Sequence, residues 1–243
     1  MRNKASWKPN KYVYQNGKLA ASDDVAICSR LVANISADFY DRHIKSHCKG
    51  QLLDLGCGNV PLYEAYKDFV DDVTCVDWSN TFHKNQFLDH ECDLTEPLPL
   101  ETETFDTIIC SDVLEHLPNP ENLWEEMYRV LNQDGKALIN VPFFYWIHEA
   151  PYDYHRYTCY SLQRSAESVG FKVVFLEPTG GWPEVTADFL AKFLHFRPVV
   201  GNLLALTVQN ATQSLLKTPI GKRISKNSNH IFPLGYFMVV HKQ

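Results

Sequence analysis

Apolar residues in this chain come in short closed runs, separated by segments with a helical period. "QLLDLG" (51–56), "DDVTCVDW" (71–78), "FDTIICSDV" (105–113) and "KALINVPFF" (136–144) are rich in Val, Ile, Leu and Cys. They are short enough for strands buried on both faces. "FKVVFLEP" (171–178) and "GYFMVVHK" (235–242) read as two further strands. Between them "PLYEAYKDF" (61–69) opens on Pro61, a residue suited to a first helical turn. "NPENLWEEMYRVL" (119–131) places Leu123, Met127, Val130 and Leu131 on one face, and Asp134-Gly135 is expected to end that helix. "SLQRSAESVGF" (161–171) sets Leu162, Ala166 and Val169 before Gly170 stops it. Ahead of the first run, residues 22–44 read as an amphipathic helix capped by Ser22 or Asp23, with Ile27, Leu31, Ile35 and Phe39 facing inward. This alternation predicts an α/β, doubly wound and mostly parallel sheet with right-handed crossovers. Ligands in such sheets lie beyond the carboxyl ends of the strands, at the topological switch point.

Composition narrows the function classes. The 243 residues are 45% apolar and 21% charged, enough to bury a full core. A net charge of −6 argues against general nucleic-acid binding, which needs a basic field. "MRNKASWKPN" lacks the apolar core of a secretory signal, and no uninterrupted run of about eighteen apolar residues offers a membrane span. The seven cysteines show no C-x-x-C pair, which points to a reducing compartment and hence the cytoplasm.

The predicted carboxyl ends carry the candidate chemistry. The first run ends in "DLGCGNVP", where Gly56 and Gly58 let the turn pass close under a ligand. Asp77 follows Gly56 by 21 residues, near the about 20 expected of a carboxylate that holds a ribose diol. Asp93 lies in "HECDLTEPLP", and Ser111-Asp112 end the run at 105–113. Pro61 occupies the third-glycine position of a dinucleotide fingerprint, which disfavours a nicotinamide oxidoreductase.

"LLDLGCG", Asp77, "CDL" before "FDTIICSDVLEHL", and "YRVLNQDGKALINVP" together resemble the ordered motifs of class I S-adenosylmethionine-dependent methyltransferases. The resemblance covers roughly residues 50–177 and the terminal strand. It implies a seven-stranded Rossmann-like sheet whose last strand, residues 235–242, inserts antiparallel beside the fifth. S-adenosylmethionine is the implied cofactor. Asp54, Gly56, Cys57 and Gly58 would cradle its methionine and ribose portions. Asp77, with Trp78 beside it, would hold the ribose hydroxyls, Asp93 and Leu94 would flank the adenine, and Ser111 and Asp112 would line the sulfonium side. The family's common third glycine in this loop is missing, with Asn59-Val60-Pro61 in its place. The organisation expected is an N-terminal cap segment and first helix over 1–49, a cofactor-binding core over 50–178, a helical cap insertion over 179–234 and a final strand over 235–243.

The acceptor is expected beside "HEAPYDYHRYT" (148–158), which follows the run at 136–144 directly. This stretch resembles an H-x-x-P-x-D-x-x-R-Y-T element of methyltransferases from surface-polysaccharide pathways, which implies O-methylation of a saccharide or glycan-precursor hydroxyl. A hydroxyl acceptor calls for a general base. His148 is the first candidate, with His116 and His155 behind it. Arg156 suits an acidic group on the acceptor, Asp153 a sugar hydroxyl or a histidine, and Tyr157 completes the set. Asp153 and Arg156 are also spaced to brace the loop by pairing, and Tyr157-Thr158 to cap the next helix. No recognisable ligand spacing predicts a metal site. The other readings are N- or C-methylation of another small molecule and a non-catalytic adenosyl-ligand-binding protein. "WPEVTADFLAKFLHF" and "VVGNLLALTVQNATQSLL" are helical and strongly apolar, broken at Arg197-Pro198. They are expected to cap the sheet, with residues 183–216 a candidate homodimer surface and a peripheral membrane contact the other candidate. Asn202, Gln209, Asn210 and Gln213 argue against a spanning helix.

Overall fold

The computed structural model describes residues 1–78, 86–197 and 199–243. Its main sheet has seven strands. These are β3 (Gln51–Leu55), β4 (Asp72–Asp77), β5 (His90–Glu91), β6 (Phe105–Ser111), β7 (Leu131–Pro142), β8 (Phe171–Thr179) and β9 (Gly235–Lys242), in the spatial order β5-β4-β3-β6-β7-β9-β8. The pairs from β5 to β7 are parallel, whereas β9 runs antiparallel to both β7 and β8. The order reverses between β3 and β6, so the carboxyl ends of β3, β4 and β6 open one crevice, as the doubly wound expectation requires.

The apolar runs are continuous because both sheet faces are covered. Leu53 and Leu55 point to one layer with Trp124, Met127 and Leu162, while Leu52 points to the other with Tyr40, Ile44 and Tyr66. Leu52, Leu53 and Leu55 are fully buried, each contributing about 1.5–3 kcal/mol of transfer free energy. The helices are α1 (Arg30–His47), α2 (Tyr63–Tyr66), α3 (Glu121–Val130), α4 (Cys159–Ser168), α5 (Trp182–His195), α6 (Gly201–Lys217) and α7 (Pro219–Ser228). Thr158 caps α4 by accepting from the Ser161 amide, and Gly170 follows that helix at φ 104°.

Several elements differ from the sequence reading. α1 starts at Arg30 rather than at Ser22-Asp23, because Ser22 turns its hydroxyl toward the Asn10 carbonyl and a short 3-10 turn over Ile27–Ser29 intervenes. α3 ends at Val130, ahead of Asp134-Gly135, because Leu131 already pairs with Phe105 of β6. An antiparallel hairpin of β1 (Tyr12–Gln15) and β2 (Lys18–Ala21) stands within the N-terminal segment. Its turn is Asn16-Gly17, both with positive φ, the two-residue connection that matches strand twist.

Helices α5 to α7 fill the stretch between β8 and β9. α6 is tied to α1 by the Leu31 amide, which donates to Gln209 Oε1 at 2.9 Å. α5 ends at His195 and α6 begins at Gly201, while Pro198 of the expected break lies outside the described residues. Phe193, Phe196 and Leu203 stand exposed on these helices. Among the described residues no helix is long and apolar enough to cross a membrane, and none of the seven cysteines is paired.

Candidate active site

The turn after β3 is shaped by residues at positive φ: Gly56 at 64°, Gly58 at 48° and Val60 at 52°. A Cβ on Gly56 would stand 2.4 Å from Val113 Cγ2, so this position requires glycine twice over. Gly58 is different: a Cβ there would meet nothing within 4 Å and would project into open space. Val60 holds the conformation that the absent third glycine would take freely. For a β-branched side chain this is strained, at about 1–3 kcal/mol, and its full burial holds it in place.

Asp77, at the end of β4, accepts from the Gly58 amide at 2.7 Å through Oδ2 and from the Trp78 amide at 2.7 Å through Oδ1. A carboxylate at the end of this strand, facing the cavity, is the group type that takes a vicinal diol. A cavity of about 350 Å³ opens here, walled by Gly58, Asp77, Trp78, Leu94 and Asp112. Asp93 also lines it and holds the turn by accepting from the Thr95 amide and hydroxyl. Asp54, Cys57 and Ser111 line an adjoining cavity of about 430 Å³. Asp112 sits at φ 56° and is fixed by a reciprocal pair, its amide donating to the Asn140 carbonyl and its carboxylate accepting from Asn140 Nδ2 at 2.8 Å. The expected cofactor residues are thus gathered along one edge of the sheet.

Asp54 lies beneath this edge and accepts from the Tyr66 hydroxyl at 2.7 Å. Burial pushes its carboxyl up to about 7, against the Tyr66 hydrogen bond, with the charge of Asp77 adding to the rise. A carboxyl raised on folding makes the folded state bind more protons than the unfolded chain. Its effect on stability is therefore a loss as pH rises from about 4 to about 7. Urea unfolding of Asp54→Asn is expected to lack this decline between pH 5 and pH 7.5, relative to the unmodified chain.

The acceptor side holds a residue that the sequence reading passed over. Glu115 follows β6 in a 3-10 turn over Leu114–His116 and is fully buried. Neither of its carboxylate oxygens accepts a hydrogen bond from a described residue. Oε1 lies 3.7 Å from His116 Nε2 and 3.7 Å from His148 Nε2, and the two imidazole rings meet edge to face at 4.8 Å. Burial raises the Glu115 pKa, opposed by the two histidines. Burial alone would lower that of His148, but Glu115 and Asp153 outweigh it and hold it above the ordinary value. The signal in the sequence was the acid-histidine pair in "VLEHL", ending a buried strand beside the switch point.

The remaining loop residues are spent internally. Arg156 grips both oxygens of Asp153 at 2.5 and 2.8 Å, and also donates to the carbonyls of Trp146 and His155. Arg156 thereby holds the Asp153 carboxyl down at about 2, against partial burial. Tyr157 donates to the Leu114 carbonyl at 2.9 Å, and the amides of Tyr154 and His155 donate to the Glu115 carbonyl. Asp153, Arg156 and Tyr157 thus clamp the 149–157 loop onto the turn that carries Glu115 and His116. None of the three lines the cavities described here. His155 leans on the Pro118 carbonyl and stands apart from the cluster.

A third cavity, of about 190 Å³, runs from Asn140 toward the N-terminal segment, and His148 lines it. Asp112, His116 and Glu149 border both this cavity and the one beside Asp77, so the two meet at those side chains. Such an edge, with paired glycines in the turn after β3 and a carboxylate at the end of β4, accords with the fold of class I S-adenosylmethionine-dependent methyltransferases. Residues 53–139, from β3 into β7, match the family model described as "Methyltransferase domain". S-adenosylmethionine is the cofactor of this domain, and the open space over Gly58 and the disposition of Asp77 fit it. A ubiquinone biosynthesis O-methyltransferase of Coxiella burnetii is 30% identical over 98 residues, which are 37% of this chain and 42% of that protein. The chain therefore spans less than half the length of the curated relatives it matches. A solved S-adenosylmethionine-dependent methyltransferase of Archaeoglobus fulgidus has a TM-score of 0.54 at 20% identity, covering 89% of this chain and 93% of that one. The cyclase SpnF has a TM-score of 0.57 at 16% identity, covering 96% and 86%. At these identities the likeness is one of fold, and a cyclase on the same fold shows that the reaction must be argued from the site.

Proposed function

We propose that this chain is an S-adenosylmethionine-dependent O-methyltransferase of a small molecule, with the acceptor hydroxyl activated at Glu115, His116 and His148. The observation that supports the reading is the meeting of the two cavities at Asp112, His116 and Glu149, with His148 lining the second of them. Bound beside Asp77, the cofactor supplies an electrophilic methyl group on a sulfonium. The chain's own residues do the rest. Asp77 takes the ribose hydroxyls, and the left-handed turn at Gly56 and Gly58 brings the backbone close. Asn140 locks Asp112 at the border. Alignment and exclusion of water account for much of the acceleration of such a displacement. A hydroxyl must also shed its proton, and the buried Glu115–histidine cluster is where this fold concentrates acceptor atoms. An amine acceptor that binds neutral has no comparable need. The cluster therefore favours O-methylation over the N- or C-methylation alternative.

The acceptor-side wall is mixed, with Val25, Val32, Val141, Pro142 and Leu234 forming an apolar part beside Tyr145 and with Ser29, Ser36 and Thr179 among its polar groups. The apolar part suits a flat or alicyclic hydroxyl-bearing body better than the saccharide that the 148–158 resemblance implies. The curated relative's acceptor pathway, ubiquinone biosynthesis, accords with a phenolic body. In this reading the β1–β2 hairpin and helices α5 to α7 are caps that shield the crevice and select the acceptor.

Calorimetric titration with S-adenosylmethionine, S-adenosylhomocysteine and NADH tests the cofactor side. Both adenosyl ligands are expected to bind and NADH is not, with Asp77→Ala weakening them by at least about tenfold, the cost of one charge-assisted hydrogen bond. Heat from NADH alone would sink the reading.

A further inference from the structure

We propose that Glu115, His116 and His148 form a binding site for a divalent transition-metal cation, on which the acceptor hydroxyl is made acidic. The inference rests on the O-methyltransferase reading for its chemistry, but the site itself stands on geometry. His116 Nδ1 lies 2.6 Å from the Tyr152 carbonyl, which only accepts, so Nδ1 carries the proton and Nε2 presents a lone pair. His148 Nδ1 lies 3.3 Å from both the Trp146 carbonyl and Asp153 Oδ2, again acceptors, so in the neutral ring the proton sits on Nδ1 and Nε2 presents a lone pair. Those two nitrogens face Glu115 Oε1 at 3.7 Å each. Three potential ligand atoms thus converge on one spot, all within 4.8 Å of one another.

A carboxylate this deeply buried and without a hydrogen-bond donor is costly unless positive charge sits beside it. Either protons on the imidazoles or a cation could supply that charge. The tautomers favour the cation. The Asp153–His148 arrangement is the carboxylate–histidine support that orients imidazole ligands in metal sites, and Arg156 in turn holds Asp153. Glu149 Oε2, 3.9 Å from His116 Nε2 on the exposed rim, is placed to serve as a further ligand. Two imidazoles and a carboxylate suit Mn²⁺, Fe²⁺, Co²⁺ or Zn²⁺, rather than the all-oxygen sets preferred by Ca²⁺ and Mg²⁺. Because His116 and His148 line the acceptor cavity, the remaining coordination positions face it. A hydroxyl held there would be made acidic, as metal-bound oxygens are, and its proton would pass to solvent at the exposed rim. The spacing rule that predicted no metal site sees only ligands close in sequence. Here the partners are separated by 32 residues and meet through the loop clamp.

The test uses the full chain, stripped with a chelator and titrated with Co²⁺ and Mn²⁺. The readouts are the visible absorption of cobalt and the electron paramagnetic resonance signal of free manganese. One saturable cation per chain is expected, with imidazole-type cobalt bands. His116→Ala and His148→Ala should each weaken binding by at least about tenfold, in line with the 10–100-fold cost of disturbing even an outer-shell partner. S-adenosylhomocysteine binding by the His148→Ala sample should be unchanged and certifies folding, since His148 does not line the cavity beside Asp77. No saturable binding of either metal, or binding indifferent to both substitutions, would overturn the proposal. Metal binding without any adenosyl-ligand binding would support the metal site and overturn the functional reading, so the two failures are distinguishable.

Discussion

His148→Ala is expected to lower kcat for the hydroxyl acceptor by about 10²–10⁴-fold, the range for loss of a group that manages a proton in the transition state. S-adenosylhomocysteine affinity should change little, because His148 lies on the acceptor side and does not line the cavity beside Asp77. Glu115→Gln keeps the buried shape and removes only the charge, so it should reproduce most of the loss. The two effects should not multiply, since Glu115 Oε1 faces His148 Nε2 directly and residues acting as a unit are non-additive. Steady-state rates for both single variants and the double variant decide the matter. A His148→Ala enzyme within threefold of the parent would remove the cluster from the chemistry and return N-methylation to the front.

Asp188→Ala is expected to cost about 3–5 kcal/mol of stability, the penalty for leaving a buried charge without its partner. Asp188 and Lys192 lie one turn apart on α5, at 0% and 3% exposure, and pair directly. Burial drives the Lys192 ammonium toward its neutral form and Asp188 opposes that drift. The Lys192 Nζ also sits 3.5 Å from the centre of the Tyr145 ring, a contact that joins the cap helix to the acceptor wall. Replacing both partners with apolar residues, Asp188→Leu with Lys192→Met, should recover most of the loss, because the desolvation cost then disappears along with the pair. Chemical unfolding of the two variants separates these outcomes. A single-variant loss under about 1 kcal/mol would mean that water reaches the ammonium.

Much of the fold was legible because its signals are local. The strands reveal themselves by closed apolar runs, which only a sheet covered on both faces requires. Gly56, Gly58 and Asp77 reveal themselves because positive φ and a strand-end carboxylate have narrow residue preferences. The hairpin at Tyr12–Gln15 and Lys18–Ala21 was equally local, its Asn16-Gly17 turn being a strong signal that the aromatic composition around it obscured. The start of α1 lies further on because Ser22, which accepts from the Asp24 amide as a cap would, is held by the Asn10 carbonyl in the N-terminal segment, and a 3-10 turn over Ile27–Ser29 intervenes. The site was harder. Arg156 reads the same whether it binds an acceptor or its neighbour Asp153, and the choice depends on where Trp146 presents its carbonyl. Glu115 could not be distinguished from a solvated helix-end acid until the 149–157 loop was seen to cover it.

The placement of β9 has a consequence for how the chain is made. Among the described residues β8 has only β9 as a neighbour in the sheet, and β9 is synthesised after the whole of α5 to α7. While the ribosome is still adding the cap helices, β5-β4-β3-β6-β7 can pair in order, but one edge of β7 and both edges of β8 stay open. Open edges of apolar strands are templates for intermolecular pairing. The nascent chain therefore passes through a window in which it is most exposed to aggregation. That window closes only when residues 235–242 emerge and slot into the gap, as the last piece of the sheet rather than an addition to its rim.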